Sequence, residues 1–98
     1  MDVQFQAIHF DADQKLIDFI NERLSKLNLF YDQIIGSEVF LRLDKSDRNL
    51  NKTVEIKLNI PGKELFAKKQ CRTFEEATDE VVDALRRQIK KHKGKHLV

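Results

Sequence analysis

The sequence predicts an α+β domain: one four-stranded sheet with both helices packed on the same face. Three observations carry the prediction. Apolar residues alternate in four segments, recur at helical spacing in two others, and the segments follow the order β-α-β-β-β-α. Each alternating segment has a single apolar face, which leaves one side of the sheet for the two amphipathic helices to cover. The chain has 98 residues, 41% of them hydrophobic, enough for one small core. No repeat, linker or change of composition divides it, so residues 1–98 are expected to form a single domain.

Val3, Phe5 and Ala7 alternate with Gln4 and Gln6 and predict the first strand. Asp11 or Asp13 can then cap a helix by accepting from an amide of its first turn. That helix is expected to reach about Asn28, with Leu16, Ile17, Ile20, Leu24 and Leu27 as its apolar stripe and Phe19 on the flank. Leu29, Phe30 and Tyr31 are expected to pack the turn that follows. If the strands on either side of this helix are parallel, the crossover must be right-handed.

Val39, Leu41 and Leu43 predict the second strand, and Val54, Ile56, Leu58 and Ile60 the third. The segment KSDRNLNK between them is polar and suits an exposed loop. Pro61-Gly62 predicts a tight turn, because proline fixes φ and glycine accepts a positive φ. Leu65 and Ala67 begin a fourth strand with a basic end at Lys68 and Lys69. Thr73-Phe74-Glu75-Glu76 has the form of a capping box. Behind it Phe74, Ala77, Val81, Val82, Leu85 and Ile89 form the second helical stripe, and Gly94 is expected to end or fray that helix. The other sheet face, carrying Gln4, Gln6, Glu38, Arg42, Glu55, Lys57 and Asn59, should meet solvent. Phe40 and Phe66 are the aromatics that alternation places outside the core.

Charge is distributed unevenly. Residues 1–50 carry −3 and residues 51–98 carry +5, within a net charge of +2. The last helix changes sign along its length. Glu75, Glu76, Asp79, Glu80 and Asp83 come first, then Arg86, Arg87, Lys90, Lys91, Lys93 and Lys95. Both ends suit the helix dipole, yet so dense a basic block exceeds what dipole compensation needs. Arg86, Lys90 and Lys93 lie on one flank of the apolar stripe and Arg87 and Lys91 on the other, as a helix lying among several phosphates would arrange them. Lys68, Lys69 and Arg72 could extend this patch, although lysine on an edge strand also discourages aggregation. Lys15, Arg23 and Lys26 sit among Asp18 and Glu22, where surface ion pairs account for most of them.

Several function classes lack the residues they require. His92 and His96 are one helical turn apart, but the cations around them repel a divalent metal, and packing or phosphate contact explains His92 better. Cys71 is the only cysteine, so no disulfide framework exists; Arg72 beside it could lower its pKa, but without a paired His and acid a small residue at a strand-helix junction is the better account. No glycine-rich phosphate loop, carboxylate pair or hydrolytic triad stands out, so neither an enzyme nor a cofactor is expected. The N-terminus has no secretory pattern, and no run approaches the roughly 18 apolar residues of a membrane span, which favours a cytoplasmic protein without membrane attachment.

LIDFINERLSKLNLFYDQI (16–34), ELFAKK (64–69) and RQIKKHKGK (87–95) resemble the ribosome hibernation-promoting factor family. That family is also named after the ribosome-associated translation inhibitor and carries the older label sigma-54 modulation protein. The resemblance implies a sheet with two helices on one face, similar in arrangement to a double-stranded RNA-binding domain. It implies binding to the small ribosomal subunit and its ribosomal RNA, in the channel used by messenger and transfer RNA, with steric inhibition of translation in stationary phase or stress. It carries over Lys26, Arg87, Lys91, His92, Lys93 and Lys95 as RNA-binding residues, to which the charge pattern adds Arg86, Lys90 and Lys68. Lys69 departs from the family's usual small residue. The chain stops at Val98 and resembles the short form, so pairing of two ribosomes would call for a second factor. The older label supports a different expectation, a protein-interaction module acting on a transcription or stress regulator. A generic double-stranded RNA binder is the third.

Overall fold

A computed structural model of the chain describes residues 1–46 and 48–96, with side chains as far as Gly94. Its elements are β1 (Asp2–Ile8), α1 (Gln14–Phe30), β2 (Gly36–Leu43), β3 (Lys52–Ile60), β4 (Lys63–Cys71) and α2 (Phe74–His96). The strands form one sheet in the order β1-β2-β3-β4, with β1 parallel to β2 and the other neighbours antiparallel. The parallel pair is the one joined through α1, the geometry that calls for a right-handed crossover.

Period-two alternation accounts for the sheet's covered side. Val39 and Leu41 of β2, Val54, Ile56 and Leu58 of β3, and Leu65 and Ala67 of β4 are buried, whereas Gln4, Gln6, Asn59 and Phe66 are exposed. Glu38, Phe40, Arg42, Glu55 and Lys57 are half-buried on the uncovered side, screened by one another across the pleat. Leu16, Ile20, Leu24 and Leu27 of α1 join Ala77, Val81, Val82, Leu85 and Ile89 of α2 in the same core cluster. β1 is an edge strand with one neighbour, and its cover is thinner than expected. Val3 and Phe5 are half-buried and Ala7 is exposed.

Local chemistry sets the element ends. Asp13 is the N-cap of α1, its Oδ1 accepting from the Leu16 amide at 2.9 Å. α1 continues past Asn28 to Phe30, so Leu29 is helical and 87% exposed instead of packing a turn, while Tyr31 is the buried C-cap. Gly62 has a φ of 75°, and Ile60 pairs with Lys63 across the two-residue turn. Only half of the capping box forms. Thr73 Oγ1 accepts from the Glu76 amide at 3.0 Å, but the Glu76 carboxylate is drawn to the Cys71 thiol instead of returning to Thr73. Gly94 lies inside α2, which runs on to His96 because the helix is held by backbone hydrogen bonds that glycine can make as any other residue does. Thr78 is fully buried in α2, a position the apolar pattern does not include.

Candidate nucleic-acid interface

The path of α2 over the sheet determines where its two charge blocks lie. The chain leaves β4 at Cys71, and the Cys71 thiol donates to Glu80 Oε2 at 2.7 Å. Further along, Gln88 Nε2 donates to the Phe66 carbonyl at 2.8 Å, and Pro61 shares a cleft with His92 and Lys93. α2 therefore runs back along β4. Its acidic half lies beside the Lys68–Cys71 end, and its basic half lies beside the β3–β4 turn and the end of α1.

This direction separates residues that sequence reasoning grouped together. Lys68 is exposed on the uncovered sheet face, opposite Glu55 in the register, and Lys69 and Arg72 lie toward the acidic half of α2. None of the three adjoins the basic block. Lys26 is on α1, with Nζ 3.4 Å from Glu22 Oε1. Arg87 Nη1 is 2.5 Å from Asp83 Oδ2, one turn back on its own helix, so the two charge blocks are linked where they meet. Lys90 and Lys91 are exposed, and His92 meets the Tyr31 ring edge-on with centroids 6.3 Å apart. Lys95 lies within α2, but its side chain, like that of His96, is outside the described residues.

Phe30, the last residue of α1, organises the basic end. The Arg86 guanidinium lies 4.9 Å from its ring centroid and Lys93 Nζ lies 4.8 Å from it. Residues seven apart share one face of a helix, so Arg86 and Lys93 can both reach the same ring. The spacing is visible in the sequence; its partner is not, because Phe30 ends α1, two residues beyond the point near Asn28 to which the sequence pattern carries that helix. A second link lies further back along the helices. Arg23 Nε is 2.7 Å from Asp79 Oδ1, and its guanidinium sits 4.2 Å from the Phe19 centroid. That hydrogen bond, with Asp79's charge, raises the Arg23 pKa above its ordinary value against an opposing desolvation. Arg23 keeps the expected pair with Glu22, at 3.1 Å, and in addition ties α1 to the acidic half of α2.

The uncovered sheet face offers no comparable field. Arg42 lies 3.8 Å from Asp44, Lys57 Nζ lies 5.6 Å from the Phe40 centroid, and Lys68 faces Glu55. Signs alternate there. Phe66 is 45% exposed and is its most open aromatic.

Cys71 corrects an expectation. Arg72 does not lower its pKa: burial first, then the hydrogen bond and charge of Glu80 and of Glu76, push the thiol up to about 12. A thiol held protonated between carboxylates is a poor nucleophile. Among the described residues Cys71, Glu76 and Glu80 bring potential ligand atoms within 4.8 Å of one another, and the Cys71–Glu80 hydrogen bond already uses two of them. No helix among the described residues is long and apolar enough to cross a membrane.

Fold and surface together define a one-sided α+β sandwich with a cationic end where its two helices converge. Comparison with known proteins gives that class a family. Residues 3–97 match the family described as Sigma 54 modulation protein / S30EA ribosomal protein, and the chain belongs to it. A ribosome hibernation promoting factor of Pseudomonas putida is 34% identical over 95 residues, covering 97% of this chain and 89% of the relative. One from Azotobacter vinelandii is 29% identical, covering 99% and 87%. A ribosomal subunit interface protein from Coxiella burnetii has the same fold, with a TM-score of 0.86 at 19% identity over 96% of this chain and 99% of the other. So has the N-terminal domain of Thermus thermophilus Protein Y, with a TM-score of 0.81 at 20% identity over 94% and 99%.

Proposed function

We propose that this protein is a hibernation factor that binds the small ribosomal subunit in the messenger and transfer RNA channel and blocks translation by occupying it. The observation that carries the reading is the convergence of Arg86, Arg87, Lys90, Lys91 and Lys93 on one end of the fold. Family membership and relatives named ribosome hibernation promoting factors support the ribosome as the source of phosphate. Inhibition by occupancy requires no bond to be made or broken by the protein, and no step of it needs a cofactor. The acidic half of α2 repels phosphate, which would confine contact to the basic end and to Lys26 on α1. Lys95 extends the same run in sequence.

Sedimentation through a sucrose gradient tests the reading. The protein should migrate with purified small subunits, compete with messenger RNA for them, and lose the association when Lys90 and Lys91 are both changed to Glu. Retention by the double variant would refute the surface. Capture of a transcription regulator from nuclease-treated lysate, with no affinity for small subunits, would favour the interaction-module alternative instead.

A further inference from the structure

We propose that the cleft between the end of α1, the β3–β4 turn and the last turns of α2 is a subsite for one unpaired RNA nucleotide, with guanine preferred. It deepens the small-subunit reading and rests on it for the source of the RNA. The cleft has a volume of about 530 Å³, within the roughly 300–1,000 Å³ typical of small-ligand sites. Its walls combine three chemistries. Leu29, Phe30 and Pro61 with the rings of Tyr31 and His92 are apolar, Lys93 is cationic, and Asp32 and Gln33 are polar.

Each occupant uses these walls differently. Phosphate alone would find Lys93 but would be repelled by Asp32 and would leave the apolar wall wet. An aliphatic peptide side chain would cover the apolar wall and leave both charges without a role. A nucleotide uses all three: its base meets Leu29, Pro61 and the His92 ring, its phosphate meets Lys93 with Arg86 behind it, and its edge meets Asp32. Phe30 serves as wall and anchor, because its ring is already engaged by Arg86 and Lys93.

Base preference follows from the carboxylate. Asp32 is exposed, and its side chain has no hydrogen-bond or ion-pair partner among the described residues. An ionised carboxylate only accepts, and it can take two parallel N–H bonds. Guanine presents N1–H and an N2 amino hydrogen side by side on its Watson–Crick edge, whereas uracil presents one N–H between two carbonyls. A base-paired guanine has that edge occupied, so the subsite selects an unpaired one.

The test is NMR titration of isotopically labelled protein with the single-stranded trinucleotides UpGpU, UpApU, UpCpU and UpUpU, alongside small-subunit cosedimentation. UpGpU should bind about tenfold more tightly than UpUpU, the scale of one bidentate base contact. Its largest shifts should fall on Leu29, Asp32 and His92. Asp32→Asn should bring the four ligands to within about twofold of one another with no change in melting temperature, since an exposed side chain without a partner contributes little to folding. Lys90→Ala should weaken all four alike. Equal binding of the four, shifts confined to Lys90 and Lys91, no binding at all, or a guanine preference that survives Asp32→Asn would each overturn the subsite. If cosedimentation holds while the guanine preference fails, the subsite alone is refuted. If the preference holds while cosedimentation fails, the ribosome is the wrong source of the RNA.

Discussion

Replacing Phe30 with leucine separates packing from charge at the basic end. Leucine keeps an apolar side chain at the end of α1 but removes the π face on which the Arg86 guanidinium and Lys93 ammonium rest, at 4.9 and 4.8 Å from the centroid. A cation on an exposed ring contributes about 0.5–1 kcal/mol, so losing both contacts should destabilise the fold by roughly 1–2 kcal/mol. For a domain of this size each kcal/mol corresponds to a drop in Tm of about 4–8 °C. Urea unfolding in a double-mutant cycle isolates the contact itself. Phe30→Leu with Arg86→Gln should show a coupling of about 0.5–1 kcal/mol, and Phe30→Leu with Lys93→Gln the same. Phe30→Leu with Lys90→Gln should be additive, because Lys90, although on the same helix flank, is exposed and makes no ring contact among the described residues. Additivity in all three cycles would show that Phe30 packs as any apolar residue would and does not fix the two cations.

Cys71 should resist chemistry that exposed thiols undergo. With its pKa raised from 9.0 to about 12, its thiolate fraction at pH 8 falls by about a thousandfold, and labelling by a disulfide reagent in the native state should slow accordingly. The same shift makes stability fall with pH. The unfolded chain loses the thiol proton near 9.0 while the native chain keeps it, so the contribution is complete below pH 9 and lost as pH rises toward 12; Cys71→Ala should flatten that part of a pH–Tm profile. Gly94→Ala should increase helicity by circular dichroism and stabilise the fold by up to about 1 kcal/mol, because Gly94 is helical and an added Cβ meets nothing within 4 Å. Gly62→Ala should destabilise by about 1–2 kcal/mol in thermal unfolding, because its φ of 75° is strained for any residue with a Cβ even where there is space.

The sheet was legible because the apolar residues of β3 alternate with polar ones, although Thr53 on the other face is buried as well. Val54, Ile56, Leu58 and Ile60 are all buried, as their spacing required. Ala7 followed the same rule and is exposed, because alternation tells which side a residue faces and not how far the cover extends. α1 outlasted its expected end for a related reason. Leu29 and Phe30 look like turn-packing residues when read alone, but the Tyr31 amide still bonds to the Leu27 carbonyl at 2.9 Å and carries the helix to its cap. Gly94 misled because propensity is a weak prior against an established helical ladder. The candidate site was half legible. Its cations could be counted in the sequence, and Arg86 and Lys93 could be placed on one helix face. Their shared ring, and the separation of Lys68 from the block, depend on α2 running back along β4, which no local spacing encodes.

The salt dependence of small-subunit binding tests the proposed surface most directly. If Arg86, Arg87, Lys90, Lys91 and Lys93 each neutralise one phosphate, the affinity should fall with salt along a log–log slope of about −3.5 to −4.5 at constant magnesium. Changing Lys90 and Lys91 to Ala should make that slope shallower by about 1.4–1.8, with the fold unchanged. A slope that is the same in the double variant, or an affinity indifferent to salt, would contradict phosphate recognition by the end of α2.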